Sequence, residues 1–170
     1  MQLFKRFAIP GKTLSERVAT FLATGFWTGM AAPIAPGTLG SWPGVLLALL
    51  FAAVLPLWAQ AIACLALTLL AIPVCDIAER VLGKKDDGRI CADEWMLYPI
   101  ATLGLPLVEA PWLIPPTFLV IRAIDILKPP PARGLQRIHG GLGIVVDDLV
   151  ANLYALGANW MLYRAALAIL

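Results

Sequence analysis

The feature that most limits the fold is a long stretch of chain without charged side chains. Residues 18–75 contain no Asp, Glu, Lys, Arg or His. A membrane-spanning helix needs about 20 consecutive apolar residues, so this stretch is long enough for more than two crossings. The whole chain is 60% hydrophobic and 14% charged, whereas soluble proteins carry roughly 45–50% apolar and about 25% charged residues. The sequence therefore excludes an ordinary soluble fold and predicts a membrane protein.

Five apolar segments divide the chain. They are 44–58, 60–75, 95–107, 111–127 and the stretch from Asp147 to Leu170. The first two are predicted to form a helical hairpin with its corner at 58–60, and the next two a second pair joined at 109–110 and kinked by prolines. No repeat or linker separates them. The predicted fold is all-α: one domain, 1–170, forming a polytopic membrane helical bundle with about five spanning segments, some of them kinked.

The distribution of charge predicts the orientation of this bundle. If each hairpin returns the chain to the side it left, 12 of the 13 basic residues and ten of the 11 acidic residues lie on one face. By the positive-inside rule that face is cytoplasmic. A crossing by residues 18–35 would break this pattern, so residues 13–32 are predicted to form a re-entrant or interfacial helix on the cytoplasmic side.

Composition argues against two classes of function. A net charge of +2 without a basic run gives no support for nucleic-acid binding. The three cysteines, Cys64, Cys75 and Cys91, have neither metal-ligand spacing nor the even number of a disulfide framework. They are interpreted as small apolar fillers. The sequence does not indicate an oligomeric state.

A first polar cluster precedes the third apolar segment. Asp86, Asp87, Asp93 and Glu94 fall within nine residues. A single carboxylate there would merely complement a helix dipole. Four of them repel one another and raise one another's pKa, so a bound divalent cation is the natural compensation. Carboxylate oxygens suit Mg²⁺.

A second cluster lies near the end of the fourth apolar segment. Arg122, Asp125 and Lys128 follow one another at intervals of three residues and lie roughly on one side of a helix. Charges at that depth are costly unless they are paired or functional. The alternative to a functional site is a local ion pair between Arg122 and Asp125 that closes the helix end.

Two glycine-rich turns complete the polar set. His139, Gly140 and Gly141 precede the paired Asp147 and Asp148, and exposed amides in such a turn can receive a phosphate oxygen. A structural role for His139 is about as plausible as a chemical one. The segment 36–41 forms either a second anion-binding turn or only the exit of the re-entrant helix. Together the clusters predict metal-assisted chemistry on a phosphorylated lipid headgroup.

The motifs that carry these clusters resemble the phosphatidylglycerophosphatase A family. They are PGTLGS at 36–41, DDGRICADE at 86–94, RAIDILKPPP at 122–131 and HGGLGIVVDDLVA at 139–151. Asp87 and the pair Cys91-Ala92 depart mildly from the family pattern. The resemblance implies a small bacterial inner-membrane enzyme that hydrolyses phosphatidylglycerophosphate to phosphatidylglycerol with Mg²⁺, in phospholipid biosynthesis. Its substrate and its surroundings are membrane lipids, and its site faces the cytoplasm.

With this resemblance, each polar residue receives an expected role. The expected Mg²⁺ ligands, for one or two ions, are Asp86, Asp93, Glu94, Asp147 and Asp148. The expected catalytic residues are Asp86, Asp93, Glu94, Arg122, Asp125, Lys128 and His139. The expected substrate-binding residues are Thr38, Ser41, Arg122, Lys128, His139, Gly140 and Gly141. Attack by water is favoured over an aspartyl phosphate.

Two alternatives use the same carboxylates. A small membrane cation transporter would place its ions near the bilayer midplane, whereas these charges are predicted at one surface. Another lipid-headgroup phosphotransferase is the second alternative. Its CDP-alcohol class requires Ala-Arg three residues after Asp-Gly, and after Asp87-Gly88 this chain reads Arg-Ile-Cys-Ala.

Overall fold

The computed structural model describes residues 9–31, 36–85, 87–135 and 138–169. Within those ranges all regular structure is helical and no strand occurs, which confirms the all-α prediction. The helices are α1 (Leu14–Ala23), α2 (Thr28–Ala31), α3 (Pro36–Gly40), α4 (Trp42–Val54), α5 (Leu57–Leu82), α6 (Ala92–Ala101), α7 (Ile114–Leu127), α8 (Ala132–Leu135) and α9 (Gly141–Ile169). A 3₁₀ turn at Pro111–Leu113 leads into α7.

Three helical stretches in the described part of the chain are long and apolar enough to cross a membrane. They are Pro36–Val54, which joins α3 to α4, Leu57–Leu82 and Gly141–Ile169. Helices α6 and α7 have only 10 and 14 residues. The apolar helices indicate a membrane protein, but the expected count of about five spans is not confirmed.

Helix α6 lies inside the bundle. It packs against α4, α5 and α9, and nine of its ten residues are buried. Met96 and Leu97 belong to one apolar cluster, and Tyr98 and Ala101 to a second. The first turn of this interior helix carries Asp93 and Glu94, so the packing of α6 brings two carboxylates to the edge of the apolar core.

Two turns differ from the sequence-based boundaries. The first hairpin turns at Leu55-Pro56, and residues 58–60 belong to the first turn of α5. Pro56 ends α4 because the residue before a proline is forced into an extended conformation, and Leu55 has φ −112° and ψ 134°. Helix α6 ends at Ala101 instead of continuing to 107, and the chain turns at Gly104 with φ +73°.

The N-terminal helix α1 is too short to span a bilayer. Its ten residues rise about 15 Å, half of a hydrocarbon core of roughly 30 Å. A capping box between Thr13 and Glu16 starts the helix. This length agrees with the predicted non-spanning segment at 13–32, of which residue 32 lies outside the described residues. Its re-entrant path is not confirmed and stays a prediction.

The end of α1 anchors the start of α6. The backbone N–H of Cys91 donates to the carbonyl of Ala23 at 2.7 Å, and the Trp95 indole donates to the carbonyl of Leu22 at 3.0 Å. A side chain at Gly29 would collide with the Arg89 carbonyl and the Cys91 thiol. The absence of a side chain at Gly29 thus lets the N-terminal segment lie directly against the chain that leads to Asp93 and Glu94.

Candidate functional site

Six charged side chains from three parts of the fold form a continuous row of ion pairs. Each side chain is no more than 18% exposed. In order along the row they are Glu94 on α6, Arg122 and Asp125 on α7, Lys128 at the end of α7, and Asp147 and Asp148 on α9. We call this set the charge row. The local ion pair between Arg122 and Asp125, which was the alternative to a functional site, is present, but it forms only one link of the row.

Arg122 holds one end of the charge row. Its Nη1 lies 3.1 Å from Glu94 Oε1 and 2.8 Å from Asp125 Oδ2. The same nitrogen donates to the Ser41 hydroxyl at 3.4 Å, and that hydroxyl donates to Glu94 Oε2 at 3.4 Å. Ser41 therefore joins α6 and α7 through a small polar contact.

Lys128 holds the other end of the charge row. Its ammonium lies 2.8 Å from Asp148 Oδ1 and 3.9 Å from Asp125 Oδ1, and it also donates to Asp147 Oδ2. Lys128 is the C-cap of α7 and has a left-handed backbone, with φ +43° and ψ 73°, and Pro129 after it has no N–H with which to continue the helix. The proline that follows thus ends α7 where the ammonium reaches α9.

Two polar atoms of opposite character are buried here without a protein partner. Asp93 Oδ1 and Arg122 Nε have no hydrogen-bond partner among the described residues. One is an acceptor of negative charge and the other a donor of positive charge. Neutral buried atoms elsewhere, among them Asn152 Oδ1 and Asn159 Oδ1, are unpartnered as well. Asp93 and Arg122 differ because a buried charge without a partner is far more costly, so a bound ligand is the expected partner at these two atoms.

Burial also acts on the two carboxylates of α6. Burial raises the pKa of Asp93 well above the usual range of an aspartate, and the nearby charges of Asp148 and Glu94 raise that pKa further. It raises the pKa of Glu94 to about 7 in spite of the adjacent Arg122. In both cases a low-dielectric environment disfavours the charged form, and a bound cation would restore it.

Comparison with known proteins identifies the family. The sequence model of the family described as Phosphatidylglycerophosphatase A matches residues 21–163. The Phosphatidylglycerophosphatase A of Escherichia coli is 32% identical over 148 residues, which cover 83% of this chain and 84% of that protein. The Haemophilus influenzae protein of the same name is 33% identical over 135 residues, covering 79% and 82%.

The chain belongs to the phosphatidylglycerophosphatase A family. The resemblance drawn from the motifs is thus confirmed, and the chain is a phosphatase. A third relative, a protein named Putative phosphatidylinositol-3-phosphatase from Bacteroides thetaiotaomicron, is 30% identical over 146 residues, covering 79% of this chain and 86% of that protein. No solved structure matches the chain significantly.

The carboxylates of this chain do not form a complete metal site among the described residues. Among the described residues no three His, Cys, Asp or Glu side chains are close enough to share an ion, and Lys128 lies against both Asp147 and Asp148. The expected ligand Asp86 lies outside the described residues. The chemistry of the carboxylate oxygens, and the unpartnered oxygen of Asp93 in particular, suits a hard divalent cation. Magnesium stays a prediction.

Asp87 has a different role from its neighbours. Both of its carboxylate oxygens accept hydrogen bonds from the Arg89 guanidinium at 2.8 Å, and one also accepts from the Arg89 backbone at 3.0 Å. These hydrogen bonds lower the pKa of Asp87. The additional carboxylate of this family member is therefore satisfied within its own turn.

The segment 36–41 reaches the site through its backbone as well as through Ser41. A side chain at Gly37 would collide with the Glu94 carboxyl group, and one at Gly40 with the Cys91 side chain. Sequence reasoning had named only Thr38 and Ser41 here, although the Gly-x-x-Gly spacing was a signal of close approach. Thr38 lies on α3 one turn before Ser41 and is half-buried.

The turn at 139–141 is engaged elsewhere. Gly140 has φ +77°, and the backbone N–H of Gly141 donates to Asp76 Oδ1 at 3.3 Å. His139 is exposed. Asp76 also pairs with Arg80. Its position as the first charge after the apolar stretch carries no sequence signal for the contact with Gly141. The expected phosphate-binding role of His139, Gly140 and Gly141 stays a prediction.

Proposed function

We propose that this chain is a Mg²⁺-dependent phosphatase that hydrolyses phosphatidylglycerophosphate to phosphatidylglycerol and phosphate. It would act at the cytoplasmic face of a bacterial inner membrane, in phospholipid biosynthesis. The substrate is favoured by the family match and by two relatives that carry this activity in their names. A terminal phosphate at a membrane surface also suits a charge row formed where apolar helices meet.

One observation carries the proposal: Arg122 Nε and Asp93 Oδ1 are both buried and both without a partner among the described residues. An anion alone would satisfy the guanidinium and repel the carboxylate. A cation alone would do the reverse. A phosphate together with a divalent cation satisfies both atoms at once, and this is the combination that phosphate-transferring enzymes use.

Arg122 is placed to bind the phosphoryl group. Its Nη1 is held by Glu94, Asp125 and Ser41, which fixes the plane of the guanidinium and leaves Nε for a phosphoryl oxygen. Lys128 is a second fixed positive charge in the same row. Cations that are positioned in advance stabilise charge developing on the phosphoryl oxygens, because they need no reorganisation during the reaction.

The residues that would hold Mg²⁺ are Asp86, Asp93, Glu94, Asp147 and Asp148. A bound Mg²⁺ would supply charge neutralisation for the phosphate and orient it. Among the described ligands, the fold keeps Asp93, Asp147 and Asp148 buried and Glu94 largely so. Asp125 is placed between Arg122 and Lys128 and acts as a positioning residue for both cations.

The test is a phosphate-release assay on the purified protein in detergent. We expect release from phosphatidylglycerophosphate that EDTA abolishes and Mg²⁺ restores, and much slower release from phosphatidic acid. Phosphatidylinositol-3-phosphate is the third substrate, because one relative carries that activity in its name. A preference for it would replace the proposed substrate, and ion flux in sealed vesicles without phosphate release would favour the transporter alternative.

Arg122→Lys is the variant that tests the site most directly. It keeps the charge but lacks Nε, so we expect a loss of turnover well beyond that caused by Arg164→Lys. Arg164 is exposed near the end of α9 and serves as the matched control. Equal activity in the two variants would contradict a phosphate contact by Arg122.

The cytoplasmic orientation has its own test. Lys12→Cys and Lys84→Cys introduce thiols at exposed positions, whereas Cys64, Cys75 and Cys91 are buried. An impermeant thiol reagent is expected to label neither introduced cysteine in intact spheroplasts and both in inverted vesicles. Labelling of position 12 from the outside would show that the N-terminal segment spans the membrane.

A further inference from the structure

An apolar cleft lies between α4 and α7. Its volume is about 280 Å³. All its lining residues are apolar: Trp42, Val45, Ile114, Pro115, Phe118 and Leu119. The cleft takes no part in the charge row, yet one of its walls is α7, which carries Arg122 and Asp125, and the other is α4, which begins directly after Ser41.

One end of the cleft adjoins the charge row. Trp42 directly follows Ser41, and Phe118 lies four residues, about one helical turn, before Arg122. The rings of Trp42 and Phe118 face each other with centroids 5.9 Å apart. Pro115 lies seven residues before Arg122, so about 10 Å of α7 separates the two positions. The cleft therefore starts beside the proposed phosphate site and continues away from it along apolar helices.

The cleft is open on the outer surface of the bundle. Trp42 is 53% exposed and Leu119 67% exposed. Its volume is just below the roughly 300 Å³ at which small-molecule pockets begin, so it fits part of one slender apolar group and not a whole lipid. An opening on the side of an apolar bundle gives access to molecules that lie in the membrane.

We propose that this cleft holds the upper part of one acyl chain of the lipid whose phosphate binds at Arg122. The inference rests on the proposed function. Moving a chain from bilayer to cleft gains little hydrophobic free energy, because lipid tails are as apolar as the lining. The benefit is orientation: a chain held between α4 and α7 directs the phosphate toward the charge row.

The test fills the cleft and compares two substrates. Leu119→Trp adds a ring at the cleft, and Leu65→Trp makes the same change on the exposed face of α5, where Leu65 is 60% exposed. The substrates are dioleoyl phosphatidylglycerophosphate and its deacylated, water-soluble headgroup. We expect Leu119→Trp to lower kcat/KM for the diacyl substrate about ten-fold and to leave turnover of the headgroup unchanged. Leu65→Trp is expected to change neither.

The outcomes separate this inference from the proposed function. No loss in Leu119→Trp, or an equal loss on both substrates, would overturn the cleft as a chain site. A wild-type protein that releases phosphate from neither substrate would instead overturn the proposed function.

A measurement independent of turnover is available in the wild-type protein. A phosphatidylglycerophosphate analogue with a diazirine near the acyl carbonyl is expected to crosslink to peptides of α4 and α7. Crosslinks confined to α5, whose exposed leucines also face outward, would overturn the proposal.

Discussion

The two ends of α6 are stabilised by different chemistry. At the first turn Glu94 belongs to the charge row and Asp93 precedes it in the chain, and one acceptor, Asp93 Oδ1, and one donor, Arg122 Nε, remain unpartnered among the described residues. At the last turn and just beyond it, neutral groups hold the backbone: Asn159 donates to the Ala101 carbonyl at 2.9 Å, Trp160 donates to the Leu103 carbonyl at 3.1 Å, and Gln60 accepts from Gly104 at 3.4 Å. One atom is unpartnered here too, but Asn159 Oδ1 is neutral.

The difference separates structural from functional polar groups. A neutral side chain can satisfy a buried backbone group at small cost, whereas a buried charge must be paired or remain expensive. The neutral end shows that this fold can close a helix terminus without charge. The charges at the other end therefore exceed what the fold requires, and ligand binding explains them better than helix capping.

The largest expected effect tests the charged end. Asp93→Asn and Asp148→Asn each remove one negative charge while nearly preserving shape, so each should reduce turnover by about a hundredfold or more. The double variant should lose little more, because residues that act as a unit are not additive. Phosphate release and Mg²⁺ titration measure both effects. Losses that simply add in free energy would argue against a shared site.

The next effect concerns stability. Lys128→Met removes the cation that lies against Asp147 and Asp148, and loss of one partner from a buried ion pair costs about 3 kcal/mol of unfolding free energy. The thermal midpoint in detergent without Mg²⁺ should fall, and Mg²⁺ should restore part of it. Lys84→Met, at an exposed position, is the control. Equal midpoints in the two variants would mean that Lys128 does not hold the row together.

A smaller effect is expected at the neutral end. Asn159→Leu leaves the Ala101 carbonyl without its hydrogen bond, which costs about 1 kcal/mol. The thermal midpoint should fall slightly while phosphate release stays within about a factor of two. Met161→Leu, on an exposed position of α9, controls for the change of side chain. A large loss of turnover in Asn159→Leu would remove the distinction between the two ends.

The smallest effect is expected at Glu109. This residue is exposed in the turn between α6 and the 3₁₀ turn that leads into α7, and Arg122 lies eight residues, about 12 Å, beyond the start of α7. Glu109→Gln should leave phosphate release unchanged within about a factor of two. A strong loss would show that the turn lies closer to the site than the fold indicates.

Much of this molecule could be predicted from sequence, because apolar periodicity and charge clustering are local properties. The uncharged stretch 18–75 predicted membrane helices, and Arg122, Asp125 and Lys128 were recognised together because three-residue spacing places them on one helix side. Boundaries were less predictable: the α4–α5 turn lies at Leu55-Pro56, where the effect of one proline outweighs an otherwise continuous apolar pattern.

The sequence by itself determined the family, the helical class and the residue types of the site. The tertiary structure alone decided how those residues meet. Ser41 contacts Arg122 across 81 positions of the chain, and Lys128 reaches Asp148 across 20. The tertiary structure also decided that Asp87 pairs with Arg89 and that the Gly141 amide donates to Asp76. Contacts between distant positions depend on which helix faces pack against α6, and a single sequence specifies those faces only through the fold as a whole.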